Sequence, residues 1–207
     1  GSTRRGRTSR RRATSPPAEC VEVRLTLPDH ERMTYATAEP EEKYRLAATA
    51  SGKNGVVDAL VATHAGEQTL VIGQYLDQLH ELAEHIGADL ITGGETPVRE
   101  RQRLFDAFRS GEITKLVVSK VANFSIDLPE ASVAIQVSGG SFGSRQEEAQ
   151  RLGRIMRPKA DGKTAHFYTV VARDTVDQDF AAHRQRFLAE QGYAYTIVDA
   201  EDLGDLG

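Results

Sequence analysis

The chain has one cysteine, no tryptophan, and aromatic residues at only 6% of its 207 positions. With Cys20 alone, an intrachain disulfide and a cysteine-rich metal site are both excluded, and a reduced intracellular setting is expected. The six histidines, His30, His64, His80, His85, His166 and His183, are not spaced as metal ligands; His80 and His85 are five apart and miss the i,i+4 stacking of a helical pair. So few aromatics leave no platform for stacking bases, and any grip on nucleic acid would be electrostatic and directed at the backbone. No apolar run approaches the ~18 residues of a membrane span, so no membrane partner is expected.

Two further absences bear on nucleotide chemistry. A phosphate-cradling loop needs G-x-x-x-x-G-K-[ST], and neither candidate satisfies it. Ser51-Gly52-Lys53-Asn54 has asparagine after the lysine and Ala47 at the first glycine position. Gly162-Lys163-Thr164 has Arg157 there and no strand leading into it. Both read as loop glycines. No Asp-Glu dipeptide occurs, so the acidic pair that holds magnesium and activates water is missing too. A self-contained nucleotide-hydrolysing enzyme is therefore disfavoured.

What is present begins with charge asymmetry. Arg4, Arg5, Arg7, Arg10, Arg11 and Arg12 give the first 17 residues +6 and leave the rest at -10, for a net charge of -4. Residues 1–18 read as a basic linker or arm, disordered or able to neutralise DNA phosphates without reading sequence. Gly1-Ser2 reads as a remnant of expression, which would make the start a boundary within a longer polypeptide. Residues 19–198 read as one domain, and 199–207 as an acidic tail that frays.

Within that domain, Cys20–Leu27 alternates apolar and polar residues, the mark of a half-buried strand. Helical character falls around Glu41–Ala50, at Val56–Thr63 and at Tyr75–Ile86, with the apolar strand Thr69–Ile72 between the last two. A strand at Ala88–Thr92 precedes a helix with Thr96 as N-cap, Pro97 at its first position and Gly111 at its end. Strands follow at Lys115–Ser119, Val133–Val137 and Ala165–Val171, then a helix at Thr175–Gln191 and a strand at Tyr193–Val198. Short apolar strands alternating with longer helices predict an α/β, doubly wound, mostly parallel sheet.

The most informative segment runs from Ser144 to Arg157. Ser144 and Glu147 form a capping-box pattern, and Pro158 ends the helix. At about 100° per residue, Ala149, Leu152, Ile155 and Met156 share one face. Gln150, Gly153, Arg154 and Arg157 share the other, so two planar, permanently charged guanidinium groups point outward together. They suit a polyphosphate supplied from elsewhere, and Gly153 lets a second backbone approach. On an arbitrary helix the same face would simply be solvated, pairing with Glu147 and Glu148.

Gln150-Arg151-Leu152-Gly153-Arg154-Ile155-Met156-Arg157 resembles motif VI of superfamily-two helicases, in which the last two arginines act on the γ-phosphate. Val118-Ser119-Lys120-Val121 with Ser125-Ile126-Asp127-Leu128-Pro129 resembles motif V, although many helicases carry glycine where Ser125 stands. Ile91-Thr92-Gly93-Gly94-Glu95-Thr96 is similar to a loop that touches nucleic acid in the family. Arg184 to Tyr193, taken with Gly143 to Arg154, narrows the resemblance to XPB-type (xeroderma pigmentosum group B) DNA repair helicases over residues about 55–198.

That resemblance implies a RecA-like second motor domain. It implies Arg154 and Arg157 as catalytic arginine fingers, with Gln150, Gly153 and Asp127 near ATP and Asp127 at the ribose. It implies Ser119, Lys120, Thr92, Gly93 and Gly94 at DNA phosphates, contacts that position DNA without reading its sequence. ATP and Mg2+ would be held by an N-terminal motor domain of the same polypeptide, with DNA and a repair nuclease as partners. The location would be the cytoplasm or nucleoid of a prokaryote or the nucleus of a eukaryote. The alternative is a helicase-like fold that only docks partners.

Overall fold

A computed structural model describes residues 18–119, 130–138, 156 and 164–206. The chain order is β1 (Ala18–Leu25), α1 (Asp29–Thr37), α2 (Pro40–Ala48), α3 (Lys53–Thr63), β2 (Thr69–Gly73), α4 (Leu76–Ile86) and β3 (Asp89–Ile91). It continues through α5 (Val98–Ser110), β4 (Lys115–Ser119), β5 (Val133–Gln136), β6 (Ala165–Ala172), α6 (Val176–Glu190), β7 (Ala194–Asp199) and a 3-10 helix at Ala200–Leu206. The described strands form one sheet in the order β3-β4-β2-β5-β6-β1-β7, and every pairing is parallel.

Parallel strands need crossovers, so apolar side chains must cover both faces. On one face, Val56, Val57 and Leu60 of α3 and Leu79, Leu82, Ala83 and Ile86 of α4 pack on Val21, Val23, Val71, Val117 and Ile135. On the other, Leu104, Phe105 and Phe108 of α5 and Leu188 of α6 pack on Cys20, Leu70, Ile72, Leu116 and Ala134. Met156, expected in the arginine helix on its apolar face, is buried in this second cluster, but it forms an isolated parallel β-bridge with Ala131 where a helical residue was expected. This is the doubly wound, RecA-like α/β architecture predicted from the sequence.

Several local expectations change. β1 is not half-buried: it lies between β6 and β7, and its polar Glu22 is wholly buried, where it accepts from Arg24 Nε at 2.5 Å and from the Tyr195 hydroxyl at 2.5 Å. Alternation misled because an internal ion pair and a tyrosine satisfy the polar position. β1 also starts at Ala18, which is buried and pairs with Ala165, so the ordered fold begins within the stretch read as linker.

Thr96 does not cap α5. Its hydroxyl accepts from the Thr92 N–H at 3.0 Å, so Pro97 takes the N-cap position and Val98 opens the helix. Gly111 does end α5, in the left-handed region at φ 81°, with its N–H donating to the Phe108 carbonyl. The acidic end takes the form of the 3-10 helix, with Ala200 and Leu203 against the core. α1 is not legible as a helix in the sequence because it buries none of its residues and has no apolar stripe to read. No helix among the described residues is long and apolar enough to cross a membrane.

Candidate functional site

All described strands point the same way, so their carboxyl ends share one edge of the sheet. From β2 the chain leaves toward β3; from the adjacent β5 it leaves toward β6, in the opposite direction. Such a divergence opens a crevice where open α/β sheets receive ligands. Gly73 and Gln74 stand on its β2 side, Val137 and Ser138 on its β5 side.

The crevice is tight at its base. A Cβ on Gly73 would meet Leu79 Cδ2 at 2.7 Å and Val137 Cγ2 at 2.9 Å, so this close approach requires glycine. The Gln74 N–H donates to the Ser138 hydroxyl at 2.8 Å, tying the two strand ends together.

Beside the crevice lie the DNA candidates that the structure describes. Ser119 ends β4 in register with Gly73, and Thr92 follows the Ile91–Val118 pair by one residue, so the two threonine and serine positions stand at neighbouring strand ends. Both are buried, whereas Gly93 and Gly94 are exposed. The Thr92 N–H is taken by the Thr96 hydroxyl, and Thr92 Oγ1 accepts from the Glu95 N–H at 3.1 Å. Thr92 therefore shapes the turn from within, its own amide taken by the Thr96 hydroxyl. Gly94 has open space where a Cβ would stand and no left-handed φ, so the fold does not itself demand glycine there.

Lys120, Asp127, Gln150, Gly153, Arg154 and Arg157 lie outside the described residues.

Lys53 is the residue that sequence reasoning missed. Its neighbour Gly52 reads as a loop glycine, yet Lys53 opens α3 and is fully buried. Its Nζ donates to the Val137 carbonyl at 2.7 Å and to Asp177 Oδ2 at 2.6 Å. Burial pushes its pKa below the ordinary lysine value, and the Asp177 carboxylate opposes that shift. A signal was available: Lys53, Val56, Val57 and Leu60 stand at i, i+3, i+4 and i+7, so the lysine continues the apolar stripe of α3. Among the described residues no group of three or more His, Cys, Asp or Glu could hold a metal ion.

Comparison with known proteins decides the family. The model for the ERCC3/RAD25/XPB C-terminal helicase matches residues 15–205. The chain belongs to that family. It is 74% identical over 187 residues to a DNA 3'-5' helicase XPB of Kineococcus radiotolerans, covering 90% of this chain and 33% of that protein. It is 68% identical over the same length to the DNA 3'-5' helicase XPB of Mycobacterium tuberculosis, covering 90% of this chain and 34% of the relative. The chain thus spans about a third of the length of these curated relatives. The ERCC3/RAD25/XPB match reaches past the boundaries 19–198 at both ends.

Solved structures share the fold. The C-terminal domain of the DEAD-box protein Dbp5 superposes with a TM-score of 0.68 at 15% identity, covering 92% of this chain and 95% of that one. The DEAD-box protein SrmB of E. coli gives 0.58 at 16%, covering 90% and 92%.

Proposed function

We propose that this chain is the second motor domain of an ATP-dependent DNA helicase or translocase that moves 3'-to-5' and serves nucleotide excision repair. It closes over ATP held by an N-terminal motor domain of the same polypeptide. Closure brings Arg154 and Arg157 to the γ-phosphate, with Gln150 and Gly153 at the same helix face and Asp127 at the ribose. Two guanidinium groups one turn apart stabilise the charge that develops on the transferred phosphoryl oxygens. Ser119, Lys120, Gly93 and Gly94 hold a DNA strand by its phosphates, and Thr92 keeps their turn in shape. Reopening after hydrolysis shifts that hold along the strand.

Magnesium would neutralise phosphate charge at the nucleotide. In this reading the ion is held, together with ATP, by the N-terminal motor domain. A repair nuclease is the further partner this reading carries, in the nucleoid or cytoplasm of a prokaryote or the nucleus of a eukaryote.

The observation that carries the reading is the family match over residues 15–205, which spans the arginine segment. The names of the relatives supply the direction of movement. The test is Arg154→Ala in the full-length protein. DNA-stimulated ATP hydrolysis should fall by roughly 10³-fold or more, as for an arginine finger, while DNA is still bound. Turnover at the wild-type rate would leave a helicase-like docking module as the better account.

A further inference from the structure

At the carboxyl edge of the sheet, a cavity of about 390 Å³ opens between the end of α2 and the starts of α3 and α4. Its volume is that of a small-molecule site. Tyr75 in its wall follows Gly73 by two residues, and Gly73 pairs in register with Ser119. The cavity therefore lies at the strand end next to the one where Ser119 stands.

Its chemistry is unlike that of a phosphate site. Asp77 and Glu81 stand one turn apart on α4 and both line it, so a phosphate would meet two carboxylates. Arg45, the cationic side chain in the wall, is already paired with Glu42. Gln78, in the same wall, is only 6% exposed. Its Nε2 donates to the Ala48 carbonyl at 2.7 Å, which fixes the two ends of the amide. The other end, Oε1, is enclosed and has no hydrogen-bond partner among the described residues. An acceptor buried in this way is costly until a donor reaches it. Tyr75 contributes a planar ring to the wall, and the neighbouring Leu76 leaves 39% of its surface exposed. Burial raises the Tyr75 phenol above its ordinary 10.0, so the ring carries a neutral hydroxyl in neutral solution.

An aromatic ring, an orphan acceptor and two carboxylates suit a flat, neutral group that carries donors. We infer that the cavity receives one base of the single strand whose phosphates pass Ser119, and holds it by its exocyclic amino group. This rests on the DNA path proposed above. One tyrosine is no platform for a run of bases, but it is enough for a single one. Gln78 Oε1 meets the amino group after a small turn about its last side-chain torsion, which is soft in glutamine. Cytosine offers an amino group where uracil and thymine offer a carbonyl oxygen, so the first donates to Oε1 and the others repel it.

The experiment measures anisotropy of labelled oligo(dC) and oligo(dU) of equal length on the full-length protein, without nucleotide. Oligo(dC) should bind about fivefold tighter, the worth of one hydrogen bond. In Gln78→Leu the preference should vanish through loss of oligo(dC) affinity. Equal binding of the two strands by the wild type would overturn the inference, and so would a preference that survives Gln78→Leu.

Tyr75→Ala covers the case in which Gln78→Leu does not fold. Its affinity for oligo(dC) should fall by roughly fivefold or more at an unchanged Tm, and the preference should go with it. Unchanged affinity would overturn the inference. Calorimetry with deoxycytidine alone separates a strand base from a free nucleoside: micromolar binding that is lost in Gln78→Leu would make this a nucleoside site and refute the strand assignment. If the protein binds neither oligonucleotide, the DNA path proposed above falls and this inference with it. If it binds both equally, only the role of the cavity is refuted.

Discussion

Gly73 and Ser138 approach so closely that a Cβ on the glycine would lie 3.0 Å from the serine hydroxyl. The same hydroxyl accepts from the neighbouring Gln74 N–H, so the ends of β2 and β5 are both packed and bonded together at the crevice. Gly73→Ala should therefore strain the crevice from inside. Leu79 can shift its flexible end, but Val137 is fixed by β5 and by Lys53. Overpacking of this kind typically costs about 1–3 kcal/mol. Urea unfolding should show that loss as a lower midpoint at unchanged slope; an unshifted midpoint would mean that the strand ends give way easily.

Gly94→Ala should behave in the opposite way. Its Cβ would enter open space and its φ is not left-handed, so stability should change by less than about 0.5 kcal/mol. If DNA phosphates approach this turn, the added methyl group stands in their path. Binding of single-stranded DNA by the full-length protein should then weaken while the melting temperature holds. The companion variant Lys120→Ala should lower the salt slope of binding by about one, as loss of a single phosphate contact does. Normal affinity in both would move the DNA path away from β3 and β4.

The layout of the sheet was legible because its strands are short apolar runs and its longer helices carry stripes: Leu79, Leu82, Ala83 and Ile86 in α4, Leu104, Phe105 and Phe108 in α5. Strand order was not, since it depends on which crossover passes over which neighbour. The misreadings share a physical cause. Glu22 and Lys53 are charged residues in buried positions, made tolerable by partners distant in sequence: Tyr195 for Glu22, Val137 and Asp177 for Lys53. Periodicity identifies the face, but the partner is visible only after folding. Thr96 shows the same limit at short range, because its hydroxyl had two possible backbone targets and took Thr92 instead of the helix. The arginine segment drew its meaning from spacing and family resemblance.

The purified 207-residue chain should not hydrolyse ATP above background in the presence of Mg2+ and DNA. Its sequence has no phosphate-binding glycine loop and no Asp-Glu pair, and the proposed two-domain reading assigns the grip on the triphosphate and the activation of water to another domain. Adding the N-terminal motor domain in the same polypeptide should restore turnover. A DNA-stimulated, magnesium-dependent activity in the isolated chain that is lost in Arg154→Ala would require a complete site within these residues and refute the two-domain reading.

Stability should also fall in alkali, and the sign follows from the groups concerned. Burial raises the Cys20 thiol from its ordinary 9.0 to about 12. Burial, aided by the charge of Glu19, raises the Tyr168 phenol from 10.0 to about 12. Tyr195 is raised as well, by burial first and then by its hydrogen bond to Glu22. A raised folded pKa means that the native state keeps its proton where the unfolded chain has released it. The corresponding stability is complete below about pH 9 and is lost as pH climbs toward 12, by up to about 1.4 kcal/mol per pH unit for each group in its window. Urea midpoints between pH 8 and 11 should decline with the onset near 9. Cys20→Ala removes the earliest of these titrations, so its decline should begin about one pH unit later. An unchanged onset in that variant would mean that the Cys20 thiol releases its proton equally readily in the folded and unfolded chain.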